Sequence, residues 1–136
     1  MKKLIYLVAA VAIFFSCKKN DNNNPPPITM QSLAGNYKIT AATVGGTDVL
    51  SVYLMPCQQD DIYTLNADST YAITDAGTTC SPTSDTTGTW SLTGSQITIG
   101  MQQFTLVSFN GTTIEATTPI TQGGVTVTLD VIFTKQ

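Results

Sequence analysis

From Thr29 onward, apolar and polar residues alternate along most of the chain. A period of two is the mark of a half-buried β-strand. Tyr37, Ile39 and Ala41 fall on one face. Tyr63 with Leu65, Tyr71 with Ile73, Trp90 with Leu92, and Ile97 with Ile99 repeat the pattern. In the last segment Val125, Val127, Leu129, Val131 and Phe133 point one way. Thr126, Thr128, Asp130 and Thr134 point the other, with Ile132 the exception. One apolar and one polar face describe antiparallel sheet wetted on one side.

Turn residues separate these segments. Asn66-Ala67-Asp68-Ser69, Gly94-Ser95, Asn110-Gly111 and Gln122-Gly123-Gly124 each lie between two strand patterns. Asn110-Gly111 is the strongest hairpin signal, because both residues accept the positive φ of a type I′ turn. Strands are expected near 36–44, 60–66, 70–75, 87–93, 96–101, 103–109, 112–118 and 125–134. Asp48 to Met55 reads either as a short helix begun by Thr47 or Asp48, or as an edge strand. Short connections make sequential strands neighbours in an all-β antiparallel meander. Roughly eight strands with one apolar face close most simply into a barrel, which removes the exposed edges. A flattened β-sandwich is the alternative.

The first 17 residues have a different pattern. Lys2-Lys3 precede an apolar run from Leu4 to Phe15, followed by Ser16-Cys17. This is the layout of a bacterial export signal, and the run is short of the about 20 residues that span a bilayer. A cysteine directly after a small residue resembles a lipoprotein signal. That resemblance implies cleavage before Cys17 and lipidation of Cys17 by a thioether-linked diacylglycerol and an amide-linked chain such as palmitate. Phe14 stands where most such signals carry leucine; the alternative is an ordinary secretory signal.

Lys18 to Pro27 is polar and then prolyl, with nothing to bury, and such a segment stays flexible. Fully extended it reaches about 30 Å at roughly 3.3 Å per residue. The chain thus divides into a signal peptide (1–16), a lipidated cysteine with an Asn/Pro tether (17–28) and a β-domain (29–136). The expected place is the bacterial cell envelope at the outer membrane, on either its periplasmic or its surface face.

With Cys17 assigned to lipid, Cys57 and Cys80 remain, and outside the cytoplasm the expectation is a disulfide. The chain has no histidine, and two cysteines alone make a poor zinc site.

Met30-Gln31-Ser32-Leu33-Ala34-Gly35-Asn36-Tyr37 resembles the opening segment of a lipocalin-like barrel. There, a helical turn precedes Gly-x-Trp on the first strand. Tyr37 replaces the tryptophan here, and Gly88-Thr89-Trp90 forms a second copy. Between them lie Cys57, Asp60-Asp61, the Asn66-Ala67-Asp68-Ser69 turn and Cys80. Together these resemble the lipocalin-like domains of small bacterial lipoproteins, with Ser69 where glycine is usual. The resemblance implies a barrel and a pocket, and names no ligand.

No histidine excludes Ser-His-Asp and Cys-His catalysis. Asp60 and Asp61 are adjacent, so on a strand they face opposite sides and do not converge as an acid–base pair. They read as solvated or turn-bonding, and Asp68 as a turn residue bonded to its own backbone. No enzyme activity, metal or cofactor is expected. The chain carries six lysines, no arginine and nine acidic residues, for a net −3. Loss of Lys2 and Lys3 with the signal leaves four against nine, or −5. So few cations give no footprint for nucleic acid.

The aromatics Tyr37, Tyr63, Tyr71, Trp90, Phe104 and Phe133 either fill the barrel or line a cavity for a hydrophobic guest. The expected function is non-catalytic binding of a small, largely apolar molecule by a monomer. The alternative is an envelope interaction module, an inhibitor or accessory subunit, that acts through its loops.

The anchor is testable. Cys17→Ala is expected to move the protein from the membrane fraction to the soluble fraction, or to leave it uncleaved. Labelling with alkyne palmitate as strong as in the parent would contradict the lipoprotein assignment.

Overall fold

The computed structural model describes residues 24–136. The expected signal peptide (1–16), Cys17 and the start of the expected tether lie outside the described residues. No helix among the described residues is long and apolar enough to cross a membrane.

The described chain folds as a single antiparallel sheet. Its strands are β1 (Gly35–Val44), β2 (Thr47–Asp48), β3 (Ile62–Leu65), β4 (Thr70–Thr74), β5 (Thr86–Thr93), β6 (Gln96–Ile99), β7 (Gln102–Phe109), β8 (Thr113–Gln122) and β9 (Val125–Lys135). Each strand from β3 to β9 pairs with the next, and β1 pairs with both β3 and β9. Eight strands therefore close into a barrel. The two-residue β2 adds to the far end of β1, with Thr43 opposite Asp48. The flattened sandwich is set aside by the β1–β9 ladder, which runs from Tyr37↔Lys135 to Thr43↔Asp130.

The two ends differ. At the closed end the turns 66–69, 94–95 and 110–112 meet helix α1 (Met30–Leu33). Thr29 caps α1: its hydroxyl accepts from Ser32 N–H and its own N–H donates to Ser32 Oγ, a reciprocal capping box. The Tyr37 ring is fully buried, and its hydroxyl donates to Leu33 O at 2.7 Å. Trp90 is 2% exposed, and its indole N–H donates to Asn66 O at 2.7 Å. The two Gly-x-aromatic motifs thus each seal this end and satisfy their single polar atom there.

At the open end lie the long β2–β3 and β4–β5 connections. Of the two readings of Asp48–Met55 the helix fills the centre of the segment, and only Asp48 joins a strand. Thr47–Asp48 is a strand, and helix α2 (Leu50–Tyr53) follows. Its first N–H, on Leu50, is accepted by Asp48 Oδ1 at 2.9 Å.

Three local expectations are corrected. Ala42, not Ala41, is the fully buried partner of Tyr37 and Ile39. The register shifts between Ile39 and Ala41, and one extra residue in a strand reverses the facing of every residue after it. Asn110-Gly111 does not form a type I′ turn, because Asn110 lacks a positive φ. Instead the Asn110 carboxamide oxygen accepts from the N–H groups of Thr112 and Thr113 across a three-residue loop. Strand β8 continues past Thr118 to Gln122. Its pairing with β7 reaches only Thr117. Pro119 therefore sits where β8 is bonded on the β9 side alone and needs no ladder N–H.

Ser69 has φ +74°, the one positive φ at a non-glycine among the described residues. Replacing Ser69 by Gly relieves that conformation and is expected to stabilise the fold by about 0.5–1 kcal/mol; a lower urea midpoint would contradict this. Trp90→Ala is expected to cost about 3–5 kcal/mol. Trp90 emission is expected to be blue-shifted and resistant to acrylamide in refolded protein free of any guest.

Candidate functional site at the open end

The centre of the barrel is filled. Tyr37, Leu65, Ile97, Ile114 and Ala116 leave a space of about 10 Å³, room for about one water. Toward the open end the interior widens into a cavity of about 170 Å³. Four of the aromatics singled out from the sequence meet there: Tyr63 from β3, Tyr71 from β4, Phe104 from β7 and Phe133 from β9. Tyr37 and Trp90 do not line it; they are spent on the closed end.

The ring geometry is specific. Phe133 meets Tyr63 edge to face at 5.9 Å and 81°, and Phe104 at 5.5 Å and 86°, the arrangement that aromatic quadrupoles favour. Tyr71 lies across two glycines. A Cβ on Gly88 would stand 2.7 Å from Tyr71 Cε1, and one on Gly100 2.6 Å from its hydroxyl. Gly88 pairs directly with Tyr71 across β4–β5. The glycine of the Gly-x-Trp motif thus gives the ring of Tyr71 its place.

Two lining residues were not singled out from the sequence. Tyr53 hangs from α2, a segment whose own structure was ambiguous. Gln102 opens β7, and its amide donates to Thr118 Oγ1 at 2.9 Å. Tyr53 also lines a neighbouring open groove of about 450 Å³, between Val44, Val49 and Val52 on one side and Ile120, Thr121, Gln122 and Val127 on the other. The groove exists because β8 and β9, paired with each other as far as Gln122 and Val125, project past the point where β8 leaves β7.

Burial pushes the Tyr63 phenol up to about 12, with smaller contributions from Tyr53 and Asp61. Burial also raises Tyr53 and takes Tyr37 to about 12. These hydroxyls are neutral donors throughout the physiological range.

The loops above the cavity are fastened. Cys57 and Cys80 form a disulfide with Cα atoms 5.2 Å apart. Both oxygens of Asp75 accept from Cys80 N–H, and Oδ2 accepts from Ser84 N–H as well. Desolvation pushes the Asp75 carboxyl up, but hydrogen bonds from Thr83, Ser84 and Cys80 outweigh it and leave it below the usual range.

Asp60 and Asp61 are not a solvated pair. Asp60 Oδ2 accepts from Thr78 N–H at 2.8 Å. Asp61 is 2% exposed and its Oδ2 accepts from Ser84 Oγ at 2.7 Å. The loop 75–85 folds over both, which no local pattern announces. Asp68, by contrast, behaves as its turn requires: Oδ1 accepts from the N–H and hydroxyl of Thr70. The bond from the Thr70 hydroxyl, then that from its N–H, holds the Asp68 carboxyl below its ordinary range. Among the described residues no three or more Cys, Asp or Glu are grouped so as to hold a metal ion.

A closed eight-strand barrel, sealed at one end by a helical turn and an aromatic, is thus joined to a cavity at the other. The lipocalin-like domain family model matches residues 33–118. The chain belongs to the lipocalin-like domain family. No curated protein and no solved structure matches it. The matched span of this lipocalin-like domain contains both cysteines, Asp60-Asp61, the 66–69 turn and the Gly88-Thr89-Trp90 motif. A fold of this kind hosts a site without naming its ligand.

Two outcomes follow. Replacing Cys57 and Cys80 by Ala is expected to cost about 3 kcal/mol, for a bridge between residues 23 apart; quantitative alkylation of both thiols without reductant would contradict the bridge. Tyr37 and Tyr63 are expected to ionise near pH 12 in a spectrophotometric titration. Their raised folded values mean that the stability they contribute is complete below pH 10 and is lost as pH rises toward about 12.

Proposed function

We propose that this lipocalin-like domain is a membrane-tethered, non-catalytic binder of a small, largely apolar molecule, held at the open end. The observation that carries this is the cavity itself. Tyr63, Tyr71, Phe104 and Phe133, from four strands, surround about 170 Å³ directly above a filled core. A dry cavity of about 150 Å³ suffices for a benzene-sized guest. The adjoining groove, shared through Tyr53, gives a longer molecule somewhere to run. Tyrosine hydroxyls and the Gln102 amide supply the few polar groups that orient a guest in an apolar site.

The tether supports this orientation. The chain enters the barrel through α1 at the closed end, where Pro26 lies beside the Gly111 turn. A lipid on Cys17 would hold that end toward the membrane and leave the open end facing away.

A second reading, docking of an envelope partner, has one observation in its favour. Val52, Met55, Met101 and Val125 are all more than half exposed, and all four belong to open-end segments.

Native mass spectrometry of protein purified from its own host is expected to find a co-purifying small molecule. Ile73→Trp, which fills the cavity, is expected to weaken binding of a benzene-sized probe at least tenfold while the fold survives. Unchanged binding in a folded Ile73→Trp protein would remove the cavity from consideration.

A further inference from the structure

Strand β8 leaves the β7 ladder where a donor is missing. The last pair at that end is Thr105↔Thr117, so the same register would set Pro119 opposite Gln103. The Leu106 N–H donates to Ser95 O, on the β6 side. Alternation then turns the backbone groups of Thr105 and Gln103 toward β8. Pro119 has no N–H to offer the Gln103 carbonyl, and the ladder stops.

A pocket of about 410 Å³ lies between the two strands at this point. It is lined from both faces of the sheet. Gln96, Gln103 and Thr105 are exposed and belong to the outward rows. Gln102 stands opposite Ile99, which lines the aromatic cavity. Thr118 shares the inward row of the buried Ile114 and Ala116 and is itself buried. A depression on one face of an unbroken sheet would meet one row only. Gln102 lines this pocket and the aromatic cavity alike, so the two spaces meet at its side chain.

The chemistry of the pocket is uniform. Three carboxamides and two hydroxyls line it, with Met101 and Pro119, and among the described residues no charged side chain does. Each carboxamide offers two donors and an acceptor, and a hydroxyl both donates and accepts. Gln102 gives one N–H to Thr118 Oγ1, which fixes its amide between the two spaces. A cluster of ligand hydroxyls matches this mixed set of donors and acceptors. An ammonium, carboxylate or phosphate group would shed water there without meeting a countercharge. The groove beside Tyr53 is by contrast mostly apolar.

We infer that the guest carries an uncharged, hydroxyl-rich head, seated between β7 and β8 against Gln96, Gln102 and Gln103, while its apolar body fills the aromatic cavity. This rests on the reading of the cavity as a ligand site and adds the chemistry of the ligand's polar end.

The test is a matched series titrated into the purified protein by calorimetry: benzyl glucoside, benzyl alcohol, methyl glucoside and benzyl glucuronide. The first joins a ring to a neutral sugar, the next two supply each half alone, and the last adds a carboxylate to the sugar. Benzyl glucoside is expected to bind at least tenfold more tightly than each of the other three. In the double variant Gln96→Ala with Gln103→Ala, two exposed positions at which the fold is expected to survive, the ratio of benzyl glucoside to benzyl alcohol affinity is expected to fall to about one. The inference falls, and the cavity remains a ligand site, if benzyl alcohol binds as tightly as benzyl glucoside or a folded double variant keeps the full ratio. It falls likewise if the glucuronide or the methyl glucoside matches benzyl glucoside in the parent protein, a comparison that needs no variant. If none of the four binds, both readings fall together.

Discussion

The pairing of β1 with β9 is the constraint on which the rest of the molecule depends. Without it the meander is an open sheet with two bare edges, and its apolar face has nothing to bury against. With it, Ile39 stands opposite Phe133 and Ala42 opposite Val131, and side chains from distant parts of the chain become neighbours. Tyr63 and Phe133 are 70 residues apart in sequence and touch only because the sheet curls. The bulge at Thr40 belongs to the same device. It bends β1 to follow the barrel while Thr40 Oγ1 stays bonded to Thr134 Oγ1 at 2.7 Å.

Closure leaves two unlike ends. At one, every large side chain has its polar atom answered by backbone: Tyr37 by Leu33, Trp90 by Asn66. Nothing there is left to recognise a ligand. At the other, strands stop at different heights, β8 and β9 overshoot β7, and α2 spans only part of the opening. The result is a cavity with an adjoining groove. Packing is thus concentrated where the chain enters the barrel, and open space where the long connections are. The disulfide fits this division, because it braces the end that lacks a packed plug.

Much of the fold is legible in the sequence because it rests on local signals. Strand positions follow from alternation, and their ends from Asn, Gly and Ser at the turns. The Thr29-to-Leu33 turn and the Tyr37 and Trp90 motifs indicate a lipocalin-like barrel. The errors arise where one residue changes the count. The bulge at Thr40 moves burial from Ala41 to Ala42, and a missing neighbour strand admits Pro119. The site was only half legible. The aromatics stood out, but which end each would occupy depends on register, and so on closure. Tyr53 was hidden in an ambiguous segment. Asp60 and Asp61 read as solvated or turn-bonding, since the partners that cover them, Thr78 and Ser84, lie in a loop well further along the chain.

The most direct measurement is an amide and indole NMR titration of the protein with a ring-sized apolar ligand. The account predicts shifts at Tyr53, Tyr63, Tyr71, Ile73 and Gln102, with the Trp90 indole N–H and the Tyr37 amide unmoved. Shifts centred on Tyr37 and Trp90, or no shifts in a protein whose Trp90 is buried and whose disulfide is intact, would contradict it.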